Sequence, residues 1–321
     1  MVGYGSGKVI LFGEHFVVHR EPALVLSLPL QTRVDLVPYA KQLIIDDRQK
    51  HPLYIPSKTD LYEKMAATIA AVFGVGNRYS FRLTGNLPVT SGGIGASAAA
   101  AIGITRALQA VVGRQLRPNE MMEIALAGER SVHGSPSGID TTAAALSGIL
   151  LFQKEEFILF HQQIALNNPA LPLLLVDSQQ ITNVKESIAD IAVLREQERM
   201  LWERCVLEYQ EVFSDACRVI YDRHMIQLGN LFNRNHQILV QLRLSCCHIE
   251  RVRKMAFDLG ALGAKVTGAC RGGLVLVLGR DQAHVAQMAA AFKASKYFVI
   301  DVSGNASNAS AVEKPAVAQA A

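Results

Sequence analysis

The sequence predicts an α+β fold built from two domains. In the first half, short β-rich runs alternate with segments that have helical spacing. Helical sequence alone then fills residues 182–259, and strand-like sequence returns over residues 260–278. A chain of 321 residues is long enough to form two units with a sizeable core. We place the domains at residues 1–168 and 169–308, followed by a tail, residues 309–321, that we expect to be disordered.

The elements of the first half follow from local patterns. Apolar or alternating runs predict strands, and apolar residues three and four positions apart predict helices. The predicted strands cover residues 9–12, 22–36, 79–83, 149–152 and 157–160, with a strand and loop over 41–54. The predicted helices cover residues 59–73, 97–112 and 118–132, with a short helix starting at Thr141. Pro118 suits a first helical turn, and Gly113 suits the position after a helix end.

The second half begins with a buried strand at residues 171–176. Charged residues mixed with Leu, Ile and Val at helical spacing then predict several packed helices. The last predicted elements are strands at residues 264–267 and 274–278, a helix at 283–296 and a strand at 297–302.

The composition limits the class of protein. Hydrophobic residues make up 50% of the chain and charged residues 19%, which is typical of a globular protein and excludes a disordered one. The net charge is only +4 and the basic residues are scattered, so we expect no nucleic-acid partner. A small anionic substrate fits this charge. The sequence leaves monomer and homodimer open.

The cysteines and the N-terminus bear on the compartment. Five cysteines without a Cys-x-x-Cys pair are typical of reduced thiols in an intracellular protein, not of disulfides or a zinc site. Lys8 and Glu14 interrupt the N-terminal apolar run, so no signal peptide is predicted. No stretch reaches the roughly 20 apolar residues that span a bilayer, so no membrane contact is expected. We expect a cytoplasmic protein, with import into an organelle left open.

A glycine- and serine-rich loop, residues 88–97, runs directly into an alanine-rich helix. Three glycines in four residues, Gly92, Gly93 and Gly95, allow positive φ and a close approach of the backbone to a ligand. The helix N-terminus adds free N–H groups and a partial positive charge, an arrangement that binds phosphate. The loop is neither a Walker A motif nor a dinucleotide fingerprint. A plain connection to a tightly packed helix explains the loop about equally well.

Four side chains could complete a phosphotransfer site around this loop. The Ser97 hydroxyl and the Glu129 carboxylate are hard oxygen donors of the kind that Mg²⁺ takes beside phosphates. Asp140 could accept or orient the proton of an attacking hydroxyl, and Lys8 could stabilise developing charge. Taken singly, each has an ordinary alternative: Glu129 could be a solvated helix carboxylate, and Asp140 the N-cap of the following helix. Together these alternatives weaken, because each residue supplies a missing part.

Three motifs in order resemble the GHMP small-molecule kinases, from about Gly5 to Val302. The first is Gly7-Lys8-Val9-Ile10-Leu11-Phe12-Gly13-Glu14-His15, followed by Val17-Val18-His19. The second is the loop Pro88–Ala99, and the third is Lys265-Val266-Thr267-Gly268-Ala269-Cys270-Arg271-Gly272-Gly273. Gly-Glu-His followed by Val-Val-His resembles the members that phosphorylate mevalonate. The segment Glu129–Asp140 is similar to the corresponding helix and loop of those members.

The resemblance implies a two-domain fold, with an N-terminal domain like ribosomal protein S5, a ferredoxin-like helical C-terminal domain, and the site in the cleft between them. It implies ATP and Mg²⁺ as cofactors, with Ser97 and Glu129 as metal ligands. Asp140 would be the catalytic base and Lys8 its partner. The implied ATP-binding residues are Lys8, Ser91, Gly92, Gly93, Ile94, Gly95, Ala96 and Ser97. The implied substrate-binding residues are Glu14, His15, Asp140, Thr267 and Gly268.

The chain also departs from the family pattern. Ser6 replaces the usual proline, and Ala96 replaces the first of two serines in the phosphate loop. Cys270 and Arg271 replace two glycines of the third motif. Arg271 could therefore add a cation near phosphate, or point to solvent.

The expected activity is transfer of the γ-phosphoryl group of ATP to the primary hydroxyl of mevalonate, which gives 5-phosphomevalonate for isoprenoid synthesis. Two alternatives stay open. One is another kinase of this family, acting on phosphomevalonate, homoserine or a sugar. The other is a kinase-like binding protein without turnover, against which Lys8, Ser97, Glu129 and Asp140 argue.

Overall fold

A computed structural model describes residues 1–50, 59–76, 78–90, 93–133, 136–153, 156–159 and 171–303. These residues form two sheets and nine α-helices. The strands are β1 (Val2–Phe12), β2 (Ala23–Pro38), β3 (Ile44–Asp46), β4 (Tyr79–Gly85), β5 (Ile149–Gln153), β6 (Glu156–Leu159), β7 (Leu173–Asp177), β8 (Gly263–Val266), β9 (Leu274–Leu278) and β10 (Val299–Asp301). The helices are α1 (Thr59–Val72), α2 (Ala96–Val112), α3 (Pro118–His133), α4 (Ile139–Ala145), α5 (Val184–Gln197), α6 (Arg199–Asp222), α7 (Met225–Gln241), α8 (Cys247–Asp258) and α9 (Gln282–Ala294).

The long strand β2 organises the first sheet. Along one edge it pairs with β1, and along the other it pairs with β4 and β5. The strand order is β3-β4-β2-β5-β6, with β1 off this path. Buried and exposed residues alternate from Leu28 to Val34, because one face of the strand covers the core.

β1 begins seven residues earlier than the predicted strand, and its glycines explain the difference. A Cβ on Gly3 would lie 2.0 Å from the carbonyl oxygen of Gly103, and one on Gly5 would lie 2.0 Å from that of Ala99. Both oxygens belong to α2. The glycines therefore let this helix pack directly on the strand, and the tertiary contact overrides the poor strand propensity of glycine.

The second sheet has the order β10-β7-β9-β8, and its neighbouring strands are antiparallel. All five residues of β7 and all five of β9 are buried, which matches the apolar sequence of β9 and of β7 up to its last residue, Asp177. The predicted run of helices over residues 182–259 is confirmed as α5 to α8. None of the helices described is long and apolar enough to cross a membrane.

The two halves of the chain pack together through aromatic and polar contacts. The rings of Phe16 and Tyr209 are stacked, with centroids 4.1 Å apart. The Thr267 hydroxyl donates to the carbonyl of Ile10 at 2.9 Å, which places the third motif beside β1. The expected domain boundary at residue 168 and the expected tail, residues 309–321, lie outside the described residues.

Candidate active site

The central loop leads into α2 as the glycine pattern predicts. Gly93 has φ +89° and Gly95 has φ +72°, and helix α2 starts at Ala96. The predicted C-terminal glycine is also confirmed, since Gly113 caps α2 with φ +66°. The backbone N–H of Lys8 donates to the carbonyl of Ile94 at 2.9 Å, so the loop is attached to β1. The other two residues assigned to this loop, Ser91 and Gly92, lie outside the described residues.

Gly95 is required by its contact with Lys8 as well as by its φ. A Cβ at this position would lie 2.8 Å from Cγ of Lys8. The lysine stem therefore runs directly across the N-terminus of α2. Any larger residue would displace the lysine from the loop.

The Lys8 ammonium group forms an ion pair with Asp140. Nζ lies 2.9 Å from Oδ1, and the side chains are 4% and 42% exposed. Asp140 stands in the first turn of α4, whose N-cap is Gly138 with no capping side-chain bond. The interpretation of Asp140 as the N-cap is therefore wrong. The carboxylate instead faces a buried cation and keeps part of its surface open.

The Ser97 hydroxyl donates to Oε1 of Glu129, which joins the first turn of α2 to α3. Glu129 is only 4% exposed, so the interpretation as a solvated carboxylate is wrong. The pKa of Glu129 is raised to about 7, chiefly by burial and also by the nearby charge of Asp140, while Ser97 and Lys8 oppose the rise. A cation bound beside this buried carboxyl group would stabilise its ionised form.

The donor set here fits Mg²⁺ bound together with phosphates. Mg²⁺ usually takes one or two protein oxygens and completes its shell with water and phosphate oxygens. Ser97 and Glu129 supply one hydroxyl and one carboxylate in direct contact. Within the described part of the chain, no group of three or more His, Cys, Asp or Glu side chains could hold a metal without such help.

A cavity of about 390 Å³ joins these groups. Its walls include Lys8, Ser97, Glu129 and Asp140, together with Gly93 to Ala96 of the loop. Apolar side chains from α1, α5 and the segment after β1 form much of the rest. The volume is typical of a pocket for a small molecule.

His15 and Glu14, which were both predicted to bind the substrate, have different surroundings. His15 lines the cavity with φ +61°, and its Nε2 lies 3.1 Å from the carbonyl oxygen of Ala269. Burial lowers the pKa of His15 to about 4, so the imidazole is neutral near pH 7. Glu14 is fully buried in an ion pair with Lys265 and is not among the described residues that line the cavity.

The third motif contacts the central loop through its glycine. Gly268 has φ +81°, and a Cβ on it would lie 3.0 Å from Cα of Gly93. Thr267 is buried, with its hydroxyl on the Ile10 carbonyl, and it does not line the cavity as described. The motif therefore brings Gly268 to the site and uses Thr267 to hold β1.

Cys270 and Arg271 adopt backbone conformations that favour glycine. Their φ values are +62° and +55°, in the left-handed region that favours glycine. The Arg271 guanidinium pairs with Asp190 and donates to the Arg243 carbonyl at 3.0 Å. It is not among the described cavity residues, so its cation is used between α5 and the segment that follows α7.

The sequence interpretation missed two charged residues behind the site. Lys265 lies in β8, whose four residues are all buried, and a buried lysine requires a partner. The sequence contained a signal for this, because the lysine stands inside a predicted strand. Arg48 is also buried, but it follows a short strand and had no distinctive pattern around it.

The glycine loop, the hydroxyl–carboxylate pair and the lysine–aspartate pair lie around one cavity, an arrangement that suits phosphoryl transfer to a small molecule. Comparison with known families agrees. The models described as "GHMP kinases N terminal domain" and "GHMP kinases C terminal" match residues 60–148 and 215–297, together more than half of the chain. The chain belongs to the GHMP kinases, which are ATP-dependent small-molecule kinases, and it has their two-domain α+β fold.

The chain is similar in sequence to proteins named mevalonate kinase. It is 28% identical over 303 residues to that of Thermococcus onnurineus, covering 86% of this chain and 88% of the relative. It is 28% identical over 311 residues to that of Pyrococcus furiosus, covering 87% and 89%. The structure of L. major mevalonate kinase in complex with R-mevalonate is similar with a TM-score of 0.82 and 28% identity, covering 94% of this chain and 96% of that one.

Proposed function

We propose that this chain transfers the γ-phosphoryl group of ATP to the primary hydroxyl of mevalonate, giving 5-phosphomevalonate. The relatives named above support this substrate, and the similar L. major structure holds R-mevalonate. The observation that carries the proposal is the Lys8–Asp140 ion pair, which faces the same cavity as the N-terminus of α2. A reacting hydroxyl at Asp140 would then lie close to phosphates at the helix.

The ATP phosphates are assigned to the loop from Ser91 to Ser97. Backbone N–H groups in the first turn of α2 have no partner within the helix, and the helix dipole favours negative charge there. Gly93 and Gly95 let the backbone approach the phosphates without a side chain between them. The loss of one serine hydroxyl at Ala96 leaves its N–H in place.

Ser97 and Glu129 would hold Mg²⁺ bound with ATP. When bound there, the ion would supply positive charge that neutralises the phosphate oxygens. Glu129 must be ionised to act as a ligand, and its raised pKa means that the carboxyl group is partly protonated near neutral pH when no ion is bound. Binding of the ion is therefore expected to release a proton near neutral pH.

Asp140 orients the attacking hydroxyl and accepts its proton as the new P–O bond forms and the bond to ADP breaks. The partly exposed oxygen surface of Asp140 makes room for that hydroxyl. Lys8 holds the carboxylate in place through their ion pair and stabilises negative charge on the group in transfer. A loose transition state requires little help from a base, so orientation is the larger part of this role.

His15 is proposed to bind a substrate hydroxyl. Its Nε2 faces a carbonyl oxygen, which can only accept, so Nε2 carries the proton. Nδ1 is then an acceptor, and it is buried with no hydrogen-bond partner among the residues that the structure describes. The ring thus suits an O–H donor better than a carboxylate.

The test is a panel of acceptor alcohols with purified protein, ATP and Mg²⁺, read as ADP release, with the product identified by phosphorus NMR. R-mevalonate is expected to react, and phosphomevalonate, homoserine and galactose are expected to react far more slowly. Asp140→Asn is expected to keep ADP binding and to lose roughly a hundredfold or more in turnover. Turnover of another alcohol with mevalonate inert, or wild-type turnover in Asp140→Asn, would contradict the proposal.

A further inference from the structure

Arg48, just after β3, has a fully buried guanidinium. Its side chain is 0% exposed, and that of its ion-pair partner Asp46 is 7% exposed. The pair is bidentate: Nε lies 2.9 Å from Oδ1 of Asp46, and Nη2 lies 2.8 Å from Oδ2. Two nitrogens of the guanidinium are therefore occupied by one carboxylate, which compensates its charge.

The third nitrogen reaches the start of α2. Nη1 donates to the carbonyl oxygen of Ala96 at 3.1 Å and to the hydroxyl of Thr32 at 3.2 Å. Ala96 is the first residue of α2 and precedes Ser97. The guanidinium also lies 4.9 Å from the ring centroid of Tyr62, a residue of α1 that lines the cavity.

We propose that Arg48 is a positioning residue that holds the first turn of α2 in the geometry that binds nucleotide. This inference rests on the proposed function of that turn as the site of the ATP phosphates. Two glycines with positive φ, Gly93 and Gly95, precede the turn and have no side chains to restrain it. On the strand side, the turn is held by the Lys8 N–H on the Ile94 carbonyl. Arg48 restrains the turn at the Ala96 carbonyl.

Lysine cannot reproduce this arrangement. A planar guanidinium donates in fixed directions to the carboxylate, the hydroxyl and the helix carbonyl at once, whereas an ammonium group is a single point. Arg48→Lys is therefore expected to keep the ion pair and to release the Ala96 carbonyl. This variant separates the positioning role from simple stabilisation, because it leaves no buried carboxylate unpaired.

The experiment titrates MgADP into purified, folded protein by calorimetry, so it requires no assumption about the acceptor alcohol. Arg48→Lys is expected to bind MgADP about tenfold more weakly, since small displacements of binding groups carry penalties of this size. The double variant Asp46→Leu with Arg48→Met replaces the pair with apolar side chains of similar size, and it is expected to fold and to bind equally weakly. In steady-state assays, KM for ATP is expected to rise while KM for the alcohol stays constant.

The matched control is an exposed pair of the same kind. Arg33 donates through Nε and Nη2 to both oxygens of Asp35 at 2.8 and 2.7 Å, on β2 and away from the cavity. Arg33→Lys is expected to leave MgADP affinity unchanged. Wild-type affinity in folded Arg48→Lys would overturn the inference, and so would an equal rise of both KM values. A wild-type chain that binds MgADP but leaves mevalonate inert removes only the proposed substrate, whereas one that binds no MgADP removes both proposals.

Discussion

Glu129→Gln should remove part of the pH dependence of the free energy of unfolding, measured on protein without bound nucleotide or metal. The pKa of Glu129 rises from 4.5 to about 7, chiefly because the side chain is buried. Between these values the folded state keeps a proton that the unfolded state has released, so the free energy of unfolding falls as pH rises. At about 1.36 kcal/mol for each pH unit between the two pKa values, the free energy of unfolding has fallen by about 3 kcal/mol once the pH is well above 7.

Most of that loss, about 2.5 kcal/mol, falls between about pH 5 and pH 8. Glutamine is neutral at every pH and keeps the shape of the protonated carboxyl, so Glu129→Gln should lack this loss. Urea unfolding of both proteins at the two pH values gives the comparison, with EDTA present. The variant should be more stable than the wild type at pH 8 and similar to it at pH 5.

The control is Glu123→Gln, which changes an exposed carboxylate on the same helix. It should follow the wild type at both pH values. The reasoning would be refuted if the stability of Glu129→Gln changed between pH 5 and pH 8 as much as that of the wild type. That result would mean that the Glu129 carboxyl group of the folded wild type is already ionised at pH 5. With saturating MgATP, the wild type should instead become the more stable protein, since binding favours the ionised form.

Three further predictions concern residues around the site. Lys265→Met should destabilise the fold by about 3–5 kcal/mol in urea unfolding, because Glu14 stays buried without its partner; replacing both by apolar residues should recover most of the loss. Arg271→Ala should change MgADP affinity less than twofold by calorimetry, since Arg271 does not line the described cavity. Gly95→Ala should lower turnover roughly tenfold or more, because the methyl group would displace Lys8. Gly113→Ala is its control. Gly113 also has positive φ, but its Cβ would meet none of the described atoms within 4 Å, so turnover should persist; equal losses in the two variants would contradict the argument.

Features that depend on neighbouring residues in the chain could be predicted well from sequence. The helix α2 is confirmed from Ala96 to Val112, one residue from the predicted start, because alanine propensity and a C-terminal glycine are local signals. The start of β1 was missed because it depends on a contact with α2 roughly a hundred residues away in the chain. Glycine has a low strand propensity, so Gly3 and Gly5 do not predict a strand from the sequence alone.

In the candidate site, too, the contacts between residues distant in the chain could not be predicted from local sequence. Spacing alone did not place Lys8 near Asp140, or Ser97 near Glu129; their selection came from chemistry that would be useful together and from the family resemblance. The Glu14–Lys265 pair joins residues 251 positions apart. The Thr267 hydroxyl on the Ile10 carbonyl ties the end of β8 to β1 in this region, and neither residue's neighbours in sequence encode the other.

Burial distinguishes the three ion pairs of this region and separates structural from reactive charge. Glu14–Lys265 and Asp46–Arg48 have little or no exposure, so their partners cannot be exchanged for a ligand without a desolvation cost of several kcal/mol. Asp140 is 42% exposed although Lys8 beside it is buried. Of these pairs, only Lys8–Asp140 can therefore admit a substrate hydroxyl while one partner stays fixed. The two closed pairs instead have structural roles: Glu14 and Lys265 join the segment after β1 to β8, and Arg48 contacts the first residue of α2.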